Sequence, residues 1–145
     1  MSGYEPPALA DASAVFTYWT GEGEKMVSIN VAGAIYVAAL SGCYDGDTCK
    51  VRFYNLPPFV AEQSLRFEGF DTPERHRPKC ADEKTKAHAA RRVTLAYMQG
   101  DVELHASGAY DKYGRLLVRA PHLKKQLIDK GLAKATKGKR AEWCN

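Results

Sequence analysis

The sequence predicts an α+β protein that is mainly β, built as a five-stranded, partly open barrel with two or three helices. Apolar residues alternate with polar ones in several short segments, a pattern typical of strands buried on one face. Two later segments repeat their apolar residues at helical spacing instead. The length of 145 residues and the hydrophobic content of 45% are sufficient for one core, and too small for two ordinary domains.

The first clear strand pattern covers residues 27–39 and is interrupted at Gly33. A glycine within a strand is typical of a bulge or sharp bend, which a small barrel needs where its strands coil. We therefore expect one bent strand here. Residues 1–25 are interpreted as an N-terminal arm with an extra strand pattern at residues 15–20, and residues 26–145 as the barrel domain.

Four further strands and two helices follow. The strand patterns lie at residues 49–54, 65–69, 102–106 and 116–119. The helical patterns lie at residues 82–99 and 123–128, and a glycine follows each of them closely. Five strands, with one helix between the third and fourth and another after the fifth, fit the OB-fold barrel.

Two turns that follow predicted strands carry a cluster of carboxylates. Asp45 and Asp47 lie in a DGDT sequence, whereas Asp71 and Glu74 lie in a DTPE sequence. Either turn alone is typical of a local hydrogen-bonded turn or of a helix start. Carboxylates brought close together raise one another's pKa unless a cation neutralises them. Their oxygen atoms suit calcium, whereas zinc prefers His and Cys.

Basic residues accompany the acidic turns. Arg66 comes just before the second turn, on the strand face opposite the apolar residues. Arg115 ends a DKYGR sequence that also contains Lys112 and Tyr113. Because arginine presents a planar fork of donors that fits phosphate oxygens, carboxylates and arginines together suggest phosphate chemistry. The formal net charge of +4 adds a mild bias toward anionic partners.

The ordered set of motifs resembles the staphylococcal nuclease, or thermonuclease, family. It comprises the DGDT, DTPE and DKYGR sequences, Arg66, and a GLAK sequence at residues 131–134, and it covers about residues 31–135. The resemblance implies an SNase-like OB-fold and a calcium-dependent nuclease that cleaves DNA or RNA to three-prime-phosphate products. The chain departs from the family by a longer segment between Asp47 and Arg66 and by the lack of tyrosines at residues 134–137.

The resemblance also implies a calcium site. Asp47 and Asp71 are expected to bind Ca²⁺ through their carboxylates, and Thr72 through its main-chain oxygen. Asp45 is expected to support this site from nearby. Phosphodiester hydrolysis agrees with these assignments, since it needs a metal to polarise the phosphoryl group and cations facing its developing negative charge.

The catalytic and substrate-binding residues follow from the same resemblance. Glu74 is expected to act as general base, or at least to position the attacking water. Arg66 and Arg115 are expected to hold the phosphate. Lys112 and Tyr113 are expected to contact the phosphate or nucleotide beside the cleaved bond.

Two other functions remain open from the sequence. OB-type barrels often bind nucleic acid or protein without cutting it, so a non-catalytic binding module on the same fold is the main alternative. The acidic turns could also bind calcium only to hold the barrel together. A monomer is expected, with DNA or RNA as its partner. Because no apolar run approaches the roughly 20 residues of a membrane-spanning helix, no membrane span is predicted.

The four cysteines lack the CxxC spacing of a structural zinc site. Bridges from Cys43 to Cys49 and from Cys80 to Cys144 are one interpretation, and four reduced, buried thiols are the other. Short relatives in the family imply the pairing of Cys80 with Cys144. The compartment stays open: the family and the cysteines favour a secreted or periplasmic protein, whereas the chain shows no convincing signal peptide and a cytoplasmic location fits too.

The basic residues 134–140 also have two interpretations. They either guide the nucleic-acid backbone through salt-sensitive contacts or form a solvated tail.

Overall fold

The computed structural model describes residues 25–136 and 140–144. Within these residues the chain forms eight strands and three helices. The strands are β1 (Met26–Val31), β2 (Ala34–Asp45), β3 (Thr48–Phe53), β4 (Glu62–Phe67), β5 (Phe70–Asp71), β6 (Glu103–Ala106), β7 (Leu116–Val118) and β8 (Lys134–Ala135). The helices are α1 (Pro58–Ala61), α2 (Ala81–Met98) and α3 (Pro121–Asp129). The strand predicted at residues 15–20 lies outside the described residues.

Six strands form a nearly closed barrel in the order β6-β1-β2-β3-β4-β7. Strands β1 to β4 pair antiparallel with their neighbours, whereas β6 joins β1 and β7 joins β4 in parallel. At the remaining gap, the main chains of His105 and Arg119 exchange two hydrogen bonds of 2.7 and 3.4 Å. This architecture confirms the predicted fold class, an OB-fold-like α+β barrel.

The bend predicted at Gly33 is a hairpin turn. β1 and β2 pair antiparallel up to Val31 and Ala34, which leaves Ala32 and Gly33 as a two-residue connection. These residues have φ values of 51° and 98°, the left-handed conformation that such tight hairpins require. The prediction of a single bent strand was therefore wrong, and the barrel gains a strand.

The irregularities that bend the barrel lie instead in the long strand β2. Its register with β3 shifts between Leu40 and Gly42, and again between Cys43 and Asp45. Bulges of this kind bend a strand and increase its twist, and they are frequent next to functional sites. The second shift lies directly before the tight turn that carries Asp47.

The two long helices follow the prediction closely. α2 buries Ala87, Ala90, Thr94 and Met98, which recur at helical spacing. α3 buries Leu123 and Leu127 against the barrel core. No helix within the described residues is long and apolar enough to cross a membrane.

Three short elements, α1, β5 and β8, were not predicted. α1 is a single turn that begins at Pro58, where the sequence indicated only a break, and Pro is well tolerated in the first turn of a helix. β5 and β8 form a separate two-stranded sheet, with Asp71 opposite Lys134. This small sheet fixes the C-terminal segment beside the second acidic turn.

Candidate functional site

The two acidic turns lie side by side against α2. The Thr72 N–H donates a hydrogen bond of 3.1 Å to Asp47 Oδ2, and the Thr94 hydroxyl donates one of 2.7 Å to the Gly46 carbonyl. A Cβ added at Gly46 would lie 2.9 Å from both Ala90 Cβ and Thr72 Cγ2. Glycine at this position therefore allows the helix and both turns to approach closely.

Arg66 lies between the carboxylates of Asp47 and Asp71. Its Nη2 atom is 2.6 Å from Asp71 Oδ1 and 3.5 Å from Asp47 Oδ2. Its Nη1 atom donates to the carbonyls of Phe67 and Phe70 at 2.6 and 3.0 Å. Because the carboxylate side chains are only 6% and 7% exposed, losing the guanidinium would leave two buried negative charges, of which only Asp71 has another cation within 4.0 Å among the described residues, Arg140.

This convergence of two carboxylates on one cationic atom fits a hard divalent cation. The Thr72 carbonyl accepts a hydrogen bond of 3.2 Å from Arg140 Nη2, and Nη1 of the same guanidinium lies 4.0 Å from Asp71 Oδ1. The Thr72 hydroxyl is buried and has no hydrogen-bond partner among the described residues. Carboxylates and carbonyls are the donors that calcium prefers.

Within residues 25–136 and 140–144, no group of three or more His, Cys, Asp or Glu side chains is arranged so that it could hold a metal ion. Asp47 and Asp71 are two such side chains, and the third ligand that the resemblance implies, at Thr72, is a main-chain oxygen. Water would complete the coordination of calcium in such a site, because calcium takes six to eight oxygen ligands.

Asp45 supports the second turn. Its Oδ1 accepts a hydrogen bond of 3.0 Å from the N–H of Arg75. Burial raises the pKa of Asp45 above its ordinary value, and the negative charges of Asp47 and Glu74 raise it further. The hydrogen bond from Arg75 and the charge of its guanidinium oppose this rise without cancelling it.

Asp45→Asn is expected to raise the melting temperature by a few degrees at neutral pH in chelator. A carboxyl whose pKa is raised on folding contributes its stability below the unfolded pKa, near 3.8, and loses it as pH rises through the folded pKa. An amide keeps an acceptor for the Arg75 N–H and carries no charge. Thermal melts of the wild type and of Asp45→Asn, from acid to neutral pH, would test the prediction.

Asp101→Asn is the matched control for Asp45→Asn because the Asp101 side chain is fully exposed. The advantage of Asp45→Asn should disappear at acid pH, where the wild-type carboxyl is protonated in both states. An advantage of the same size at all pH values, or one shared by the control, would contradict the electrostatic cause.

The loop that carries Glu74 is fixed by a buried acid, Glu83. The Glu83 carboxylate accepts hydrogen bonds from the N–H groups of Glu74, at 3.1 Å, and Lys79, at 2.8 Å. In return, the Glu83 N–H donates to Cys80 Sγ at the helix N-cap. An acid three residues after an N-cap is a capping-box signal, so the sequence contained a sign of this residue that we missed.

Arg140 reaches the acidic site from the C-terminal segment and was also missed. Its Nε atom lies 3.3 Å from Glu74 Oε2, and its Nη1 atom lies 4.0 Å from Asp71 Oδ1. With the contact to the Thr72 carbonyl, one guanidinium touches three residues of the predicted site. Basic composition alone could not distinguish this contact from a solvated tail.

Both cysteine pairings are formed. Cys43 and Cys49 lie directly opposite each other in β2 and β3 and are bridged, which encloses the first acidic turn in a short covalent ring. Cys80 and Cys144 form the second disulfide, across a sequence separation of 64. This bond joins the start of α2 to the segment that carries Arg140. The interpretation as four reduced thiols is therefore wrong.

The loop of residues 111–115 joins β6 and β7 and is closed by Asp111. The Asp111 carboxylate accepts from the N–H groups of Tyr113 and Arg115, both at 2.9 Å, and from Arg115 Nε at 2.7 Å. Burial raises the pKa of Asp111, but these hydrogen bonds outweigh it, so the pKa lies below its ordinary value. Lys112 and Tyr113 are exposed and, among the described residues, make no hydrogen bond to the acidic turns.

A cavity of about 540 Å³ lies beside the acidic site. Four basic side chains line it: Lys50, Arg75, Arg91 and Arg115. Thr48 also lines it and donates its hydroxyl to Asp47 Oδ1 at 3.0 Å. The cavity, which we call the basic cleft, therefore adjoins the acidic pair and receives Arg115.

No protein-family model matches the chain, and no curated protein matches it either. The likeness to the thermonuclease family therefore depends on the ordered motifs alone.

Proposed function

We propose that the protein is a calcium-dependent nuclease that hydrolyses phosphodiester bonds of DNA or RNA and leaves three-prime-phosphate ends. The convergence of Asp47 and Asp71 on a single cationic group carries the proposal. It is supported by a partly exposed carboxylate, Glu74, beside this pair and by the basic cleft next to it. Acid, cation site and arginines are the parts that this hydrolysis requires.

Asp47, Asp71 and the Thr72 carbonyl would hold the cation. When bound, calcium supplies Lewis-acid polarisation of the phosphoryl group. Arg66 lies on the same two carboxylates, and its guanidinium has a fork of donors that suits a phosphate. With Asp47 and Asp71 holding a cation, this guanidinium would be free to face the phosphate.

Glu74 is the proposed general base. Its main chain is fixed by Glu83, whereas its side chain is 44% exposed and accessible to water. The carboxylate would orient a water molecule toward phosphorus and accept its proton, while the five-prime oxygen leaves. Arg140 is paired with this carboxylate, so it must move or share Glu74 when substrate binds.

Arg115 would contact the phosphate from the other side. Its Nε is fixed by Asp111, and its side chain lines the basic cleft together with Thr48. Lys112 and Tyr113 are exposed at the tip of the same loop, where they would contact the neighbouring nucleotide.

Digestion of single-stranded DNA and of RNA, each with calcium and with chelator, tests the proposed function. We expect at least one of the two polymers to be cleaved, only with calcium, and the new three-prime ends to accept a label only after their phosphate is removed. Equal cleavage with chelator, or intact substrate in calcium, would overturn the proposal.

A non-catalytic binding module is the second candidate, and one observation favours it. Arg66 and Arg140 pair with Asp71 and Glu74, and these ion pairs would balance the acidic charge of a module that only binds nucleic acid. Tight binding of nucleic acid that remains intact in calcium would establish this alternative.

A further inference from the structure

We infer that the basic cleft is a second binding site, for the phosphates and one base of a single-stranded polynucleotide next to the bond that is cut. The inference deepens the proposed function and rests on it for the identity of the ligand. It concerns Lys50, Arg75 and Arg91, which the motifs did not mark, and the aromatic ring of Tyr44.

The cleft is assembled from separate parts of the chain. Lys50 comes from β3, Arg75 from the loop after β5, and Arg91 from α2, while Arg115 comes from the loop before β7. No carboxylate is among the described residues that line it. Four cations around one concave surface create a positive potential that attracts an extended anion.

Two of these arginines are held in place by their Nε atoms. Arg75 Nε donates to the Tyr44 carbonyl at 2.8 Å, and Arg91 Nε donates to the Cys43 carbonyl at 2.7 Å. In the described part of the chain, their terminal Nη atoms make no hydrogen bond. Each guanidinium is therefore oriented, and its terminal donors remain available for phosphate oxygens.

Tyr44 provides an aromatic surface at the same cleft. It is 50% exposed, its ring lies 5.2 Å from the Arg75 guanidinium carbon, and the ring of His76 is 6.4 Å away. An exposed aromatic ring flanked by arginine is a stacking surface for an unpaired base. A stacking surface among phosphate-binding cations favours a single-stranded polynucleotide over a simple polyanion.

The position of the cleft links it to the proposed reaction. The main-chain N–H of Arg75 donates a hydrogen bond to the Asp45 carboxylate, and the Thr48 hydroxyl donates one to the Asp47 carboxylate. The Arg115 side chain lines the wall of the cleft. A strand whose scissile phosphate lies at the acidic pair would therefore pass directly into the cleft. We expect affinity to increase with substrate length, because a dinucleotide cannot reach all of these cations.

The test is a binding measurement in chelator, by fluorescence anisotropy of a labelled single-stranded oligonucleotide, over a range of salt concentrations. The triple variant Lys50→Gln, Arg75→Gln, Arg91→Gln should bind about tenfold more weakly or worse. The slope of log affinity against log salt should fall by about 2, since each single-strand phosphate contact contributes about 0.7. Tyr44→Ala should weaken binding without changing this slope.

The matched control is Lys84→Gln, Lys125→Gln, Lys130→Gln, which removes the same charge from exposed lysines outside the cleft. A second variant with Arg75→Lys and Arg91→Lys keeps the charge, so its salt slope should stay near that of the wild type even where the affinity falls with loss of the guanidinium fork. If the control triple weakens binding as much as the cleft triple does, the inference is wrong. Displacement of the oligonucleotide by inorganic tripolyphosphate at equal phosphate concentration would also overturn it.

The two proposals fail separately. Binding in chelator that depends on the cleft, without cleavage in calcium, would overturn the nuclease and keep the cleft. Calcium-dependent cleavage with the same affinity and salt slope in the cleft triple as in the wild type would do the reverse.

Discussion

Turnover of single-stranded DNA is expected to fall by about 10²–10⁴-fold when Glu74 is replaced by Gln. The amide keeps the size of the side chain and can still contact Arg140, but it cannot accept a proton from water. Stability should change little, because the Glu74 side chain is 44% exposed and its ion pair with Arg140 is at the surface. Steady-state kinetics in calcium, together with a thermal melt of each protein, would measure both effects.

Glu103→Gln is a suitable control for Glu74→Gln. The Glu103 side chain is 47% exposed and lies on β6, at a distance from the acidic turns. The substitution therefore removes a similar surface charge at a site outside those turns. The role of Glu74 as general base would be contradicted if its replacement left turnover within a few-fold of wild type. The same conclusion would follow if the control lost as much activity.

Loss of the Cys80–Cys144 disulfide is the second large expected effect. The two cysteines are 64 residues apart in sequence. Closing a loop of that length lowers the conformational entropy of the unfolded chain, which stabilises the folded state by roughly 4 kcal/mol. We expect Cys80→Ser with Cys144→Ser to lower the free energy of unfolding by about that amount, measured in urea. Because the bond also holds the segment of Arg140, we expect the variant to need less calcium for half-maximal activity.

The pair Cys43→Ser and Cys49→Ser provides the comparison. Its sequence separation is only 6, so the same entropic reasoning gives roughly 2 kcal/mol. This pair should not change the contacts of Arg140. A smaller loss for the Cys80 and Cys144 variant than for this pair would contradict loop closure as the main cause. An unchanged calcium requirement would show that Arg140 stays in place without the disulfide.

The fold was predictable where burial is periodic. Apolar and polar residues alternate around Leu65, and apolar residues recur at helical spacing along α2. These patterns identified β4 and α2 because each element buries one face. The hairpin at Gly33 was not recognised, because the apolar alternation in the sequence keeps the same phase on both sides of the turn. In the structure Tyr36 and Ala38 pair with Ile29 and Val27 instead. β5 and β8 are too short, at two residues each, to show any period.

The candidate site was predictable to the extent that it lies within local motifs. The two acidic turns and Arg66 each stand in or beside a recognisable motif, and they contact each other in the structure. Arg140 could not be placed, because its contact with Glu74 depends on a distant disulfide and on the small sheet of β5 and β8. In the sequence Arg91 is one cation among several on a helix, and only the structure shows that it binds the Cys43 carbonyl, beside the second register shift of β2.

The Cys80–Cys144 bond also has a consequence for proteolysis. The exposed loop tip with Lys112 and Tyr113 lies between the two bonded cysteines, and exposed loop tips are preferred sites of cleavage. A protease that cuts there would leave two peptides that remain covalently joined. Arg115 would then stay attached to the acidic turns through the disulfide, so a nicked molecule keeps all the residues of the proposed active site until the bond is reduced.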